Sequence, residues 1–142
     1  MVAFLFKHFA ELEKIKISLK VFDLVMNHDA LESITSDLPW PVKNFTAITK
    51  KAWKELEHEI INYTPELRVY TDGGLRRELT TEQHDLFKTC DTLDLWIFVQ
   101  EEISYGNNSK DIKKVESNCL NIFRSIQTKF PSVENFLKSF NG

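Results

Sequence analysis

A chain of 142 residues with a formal net charge of -3, 42% hydrophobic and 27% charged side chains, is long enough to bury a core without metal or disulfide staples. Eleven Phe against four Gly and four Pro favour long regular elements over loops and argue against disorder. The mild acidity gives no long-range attraction to nucleic acid or to an anionic membrane, so direct nucleic-acid binding is not expected.

The opening run MVAFLFKHFAELEK has no basic start and is interrupted by Lys7, His8 and Glu11, so no signal peptide is expected. Nowhere do about eighteen apolar residues run together to span a bilayer. Cys90 and Cys119 lie in apolar helical patterns rather than at metal-type spacing, which reads as two reduced core thiols in a cytoplasmic protein, with a bridge between adjacent helices as the alternative.

From the N-terminus, Leu5, Leu12, Leu19 and Met26 recur every seven residues with Phe9, Ile15 and Phe22 between them, predicting a helix from about 3 to 27. The alternation Ile15, Ile17, Leu19, Val21 is the competing strand signal for residues 14–22. Asn27 or Asp29 punctuates, and ALESITSDL can form a short second helix before Pro39. LPWPVKNF turns the chain around Trp40. A third helix is expected from about 42 to 63 on a stripe through Phe45, Ile48, Ala52, Leu56, Glu59 or Ile60, and Tyr63.

Pro65 stops that helix, and Asp72-Gly73-Gly74 between extended-looking residues predicts a small β-hairpin over residues 66–79. Thr80-x-x-Gln83 matches the capping box and opens a fourth helix through Leu86, Phe87, Cys90, Leu93, Ile97 and Ile103. Leu95, Trp96, Phe98 and Val99 make its middle nearly apolar all round, which places it centrally. Gly106 ends it, a fifth helix is expected over about 109–129, and beyond Pro131 a cap at Ser132 starts a terminal helix through VENFLKSF. The expected fold is mainly α: one domain over 1–142, a bundle of five to six helices with at most one hairpin.

Two constellations could carry chemistry. Arg77 and His84 are separated by six residues, which resembles the Arg-x4-6-His spacing of the HEPN family of small helical ribonucleases. That resemblance implies a cation on the phosphate and an imidazole moving the proton of the attacking ribose hydroxyl. Glu78 departs from the family's usual polar residue after the arginine, and its carboxylate would oppose a phosphate. The plain alternative is a solvated Arg77 and a surface or half-buried His84.

His8, the pair His28-Asp29 and a later aspartate loosely resemble the H…HD…D sites of helical HD-domain phosphohydrolases, which implies imidazoles and carboxylates holding a divalent ion. Here Ala30-Leu31 replaces the glycine usual after the pair, and the pair falls where a helix should end. Asn27-His28-Asp29 therefore reads as a turn and N-cap. No serine elbow or phosphate-cradling glycine loop is present, and no cofactor or metal is implied.

Charge distribution ranks the rest. Glu82, Asp85, Asp91, Asp94, Glu101 and Glu102 face a lone Lys88 between Thr80 and Tyr105, with Glu66, Asp72 and Glu78 just before. Residues 107–142 carry Lys110, Lys113, Lys114, Arg124, Lys129 and Lys138 against three acids, so the chain is polarised. Such a run is either a solvated face or an acidic ridge that meets a basic partner, with Tyr70, Tyr105 and Trp40 as aromatic anchors. The reading that follows is a non-catalytic binding module, a stoichiometric inhibitor of the immunity or antitoxin kind, whose acidic helix fills the basic cleft of a toxin such as a nuclease. The alternatives are a ribonuclease using Arg77 and His84, and a helical scaffold or homo-oligomer built through Phe4, Phe6, Trp53 or Trp96.

Overall fold

The computed structural model describes residues 1–35, 46–126 and 129–140, and Pro39, Trp40 and Phe45, with the turn and anchor assigned to them, lie outside the described residues. Among those described there is no strand. In chain order the helices are α1 (Val2–Leu12), α2 (Leu19–Met26), α3 (Glu32–Thr35), α4 (Ala47–Tyr63), a 3-10 turn (Pro65–Tyr70), α5 (Asp72–Glu78), α6 (Thr81–Ser104), α7 (Lys110–Ile126) and α8 (Pro131–Phe140). The mainly α expectation holds, with more and shorter helices than the five or six foreseen. Packing divides them into two compact units, Met1–Met26 with Leu79–Gly142, and Asn27–Glu78.

In the first unit the helix expected over 3–27 is broken. The Lys14 N–H donates to Glu11 O at 3.2 Å and the Ile15 N–H to Ala10 O at 2.8 Å, with Lys14 at φ 58. This is the Schellman ending, usually built on glycine, and it buries Ile15 close to its own helix end. The sevenfold stripe is consequently not the core: Leu19 is 84% exposed, and Leu12 and Met26 are exposed too, whereas Phe6, Phe9, Val21, Leu24 and Val25 are buried. No strand forms over residues 14–22. Ser18 starts α2 by accepting the Val21 N–H at 3.2 Å.

Helix α6 is central to its unit, packing on α1 and α7. Its start is the capping box read from the sequence: the Gln83 N–H donates to Thr80 Oγ1 at 3.2 Å and the Thr80 N–H to Gln83 Oε1 at 3.0 Å. Leu86, Phe87, Cys90, Leu93, Trp96 and Val99 are buried along it, while Leu95 and Phe98 stay exposed. Its end is a second Schellman motif, with Asn107 N–H on Glu102 O at 2.9 Å, Gly106 N–H on Ile103 O at 2.9 Å and Gly106 at φ 91. Ser109 Oγ accepts the Ile112 N–H at 3.3 Å at the start of α7, which buries Cys119 and Phe123.

Pro131 opens α8 instead of preceding it, since the first helical turn needs no N–H there. Ser132 does not supply the cap. It donates, through its N–H at 2.7 Å and through its hydroxyl, to the Glu13 carboxylate.

In the second unit, Thr46 and Thr49 form a capping box at the start of α4, and Ile60 is the residue of that helix that is buried. Ile48, Leu56 and Tyr63 of the expected stripe are exposed. The predicted hairpin is absent. Pro65 starts a 3-10 turn, the Gly74 N–H donates to Thr71 Oγ1 at 3.0 Å, and Asp72-Gly73-Gly74 forms the first turn of α5. A Cβ on Gly74 would lie 2.2 Å from Arg68 O and 2.5 Å from Val69 O, so this glycine lets α5 rest on the backbone of the 3-10 turn.

Candidate active site

The chain leaves α2 at Met26 and passes through overlapping four-residue turns: Ala30 N–H to Asn27 O at 2.9 Å, Glu32 N–H to Asp29 O at 2.8 Å and Ser33 N–H to Ala30 O at 3.3 Å. His28 and Asp29 stand on the first of them, the turn foreseen at Asn27-His28-Asp29. His28 Nε2 lies 3.0 Å from Asp29 Oδ2, with the imidazole side chain 14% and the carboxylate 64% exposed. The ring is thus largely buried beside its neighbour's carboxylate, and the carboxylate side chain is mostly open to water. That combination can hold and pass a proton.

An imidazole and a carboxylate are also donors of the types a divalent ion takes, but a metal centre needs more than two. Among the described residues no three His, Cys, Asp or Glu side chains come together to hold an ion. His8, the first histidine of the H…HD…D resemblance, is exposed on α1 with its ring edge against Phe9.

Arg77 is exposed on α5, but His84 is buried, 4% exposed, in the first turn of α6 with its ring edge toward Phe87. It is more deeply buried than the surface or half-buried residue expected, and its ring is not open to a phosphate. The acidic residues are dispersed among local uses. Asp72 pairs with Arg76 at 3.0 Å, Asp85 with Lys129 at 2.7 Å and Asp91 with Lys88 at 3.7 Å, and Glu102 accepts from Asn107 Nδ2 at 2.7 Å. Glu82 and Glu101 are exposed, Asp94 and Tyr70 are half-buried, and Tyr105 is 85% exposed.

A family model described as "5'-deoxynucleotidase YfbR-like" matches residues 2–141. The chain belongs to the YfbR-like 5'-deoxynucleotidase family. It is similar to 5'-deoxynucleotidase YfbR of Shigella flexneri serotype 5b, 31% identical over 124 residues, 83% of this chain and 62% of that protein. The Escherichia coli O127:H6 protein of the same name is 31% identical over the same shares. 5'-deoxynucleotidase VP0926 of Vibrio parahaemolyticus is 28% identical over 123 residues, 82% of this chain and 61% of that protein. The chain thus spans about three fifths of the length of these relatives. No solved structure matches it.

Membership of this family overturns the inhibitor reading. Size and acidity suit a non-catalytic immunity or antitoxin protein, whereas the family and its curated members are named for an enzyme acting on nucleotides. The ribonuclease alternative built on Arg77 and His84 is not the activity for which the family is named. Of the resemblances weighed in the sequence, the phosphohydrolase one at His28-Asp29 is the one whose reaction class agrees with the family's name. Ala30 after the pair departs from the glycine of the HD-domain pattern, and a His-Asp dipeptide in a turn has an ordinary capping explanation.

Proposed function

We propose that this chain is a nucleotide phosphohydrolase that removes the 5'-phosphate of a deoxynucleotide, with His28 and Asp29 at the reacting centre. The observation that carries the reading is the family match across residues 2–141, with which the names of the similar proteins agree. The pair supports it chemically. Water oxygen bonds to phosphorus, the bond from phosphorus to the 5'-oxygen breaks, and the proton given up by water must finish on that leaving oxygen. A carboxylate open to solvent beside a largely buried imidazole can carry this proton, general acid–base catalysis that is worth about 10²–10⁴-fold in rate.

No helix among the described residues is long and apolar enough to cross a membrane. The buried, unbridged Cys90 and Cys119 support a reducing, cytoplasmic setting.

The test is phosphate release from deoxynucleoside 5'-monophosphates and their 3'-isomers, with and without an added divalent cation. Release from the 5'-isomers over the 3'-isomers is expected. No release from either, or equal release from both, would overturn the proposal.

A further inference from the structure

We draw no further inference here: the strongest candidate, the exposed apolar stripe of Leu95 and Phe98 on α6 with Asp91, Asp94 and Glu102 at helical spacing beside it, is an unpartnered helix face, and nothing in the structure shows what covers it.

Discussion

Glu13, one residue past α1, closes the N-terminus of α8 by accepting both the N–H and the hydroxyl of Ser132, 119 residues further along the chain. A carboxylate at the positive end of a helix satisfies donors that the helix itself leaves open. Glu13→Ala is expected to cost about 1–2 kcal/mol, seen as a lower urea midpoint with an unchanged slope. Glu13→Gln keeps an acceptor oxygen and loses less. An alanine variant that unfolds with the wild type would show that the contact adds nothing.

Lys14 occupies the left-handed position of a Schellman ending that Gly106 fills at the other such site. A side chain there costs about 1 kcal/mol relative to glycine. Lys14→Gly should therefore stabilise the chain by about that amount in thermal or urea unfolding. Loss of stability would mean that the lysine side chain contributes more than its backbone strain removes.

Gly73 and Gly74 are neighbours with opposite expectations. A Cβ on Gly74 would strike the carbonyls of Arg68 and Val69, whereas one on Gly73 meets nothing within 4 Å. Gly74→Ala should destabilise residues 27–78 by roughly 1–3 kcal/mol, and Gly73→Ala should be neutral or stabilise by about 0.5 kcal/mol. Hydrogen exchange over α5 and the 3-10 turn reads both, and equal effects would contradict the packing described.

Burial pushes the Cys90 thiol far up, reinforced by Asp91, and pushes the Cys119 thiol up to about 11, with a backbone hydrogen bond opposing the rise and Glu116 adding to it. Neither is a thiolate at neutral pH, so iodoacetamide should label them only after unfolding. The folded chain keeps protons that the unfolded chain releases above the ordinary thiol value of 9.0. Stability from these groups is therefore full below pH 9 and is lost as pH rises toward the folded values. Fast labelling of the folded chain would contradict their burial.

Local signals in the sequence were reliable where one turn decides the outcome. Thr80 and Gln83 form the capping box they spell, Gly106 ends α6, and Pro65 closes α4. They failed where two structures share one signal. Asp72-Gly73-Gly74 suits a hairpin turn and a helix start alike, and the deciding contact, Gly74 against Arg68 and Val69, is invisible until the chain is folded. The stripe Leu5, Leu12, Leu19, Met26 was regular, yet a lysine in a left-handed conformation broke it, and lysine carries no warning of that.

Function was harder to read because charge does not name a partner. Asp72, Asp85 and Asp91, assigned to an acidic ridge, pair with cations of this same chain. His28 and Asp29 were legible as a dipeptide, but their 3.0 Å contact and unequal exposure belong to the turn that follows α2. His84 shows the converse, a plausible catalytic histidine by spacing that the fold buries.

The most direct test of the account is 5'-deoxynucleotide hydrolysis by wild type, His28→Ala and Asp29→Asn, each shown by circular dichroism to be helical and cooperatively folded. The account predicts phosphate release by the wild type and a loss of about 100-fold or more in kcat in both variants, with His84→Ala losing activity only in proportion to any loss of fold. Folded His28→Ala and Asp29→Asn variants that hydrolyse at the wild-type rate would contradict the placement of the reacting centre at this pair.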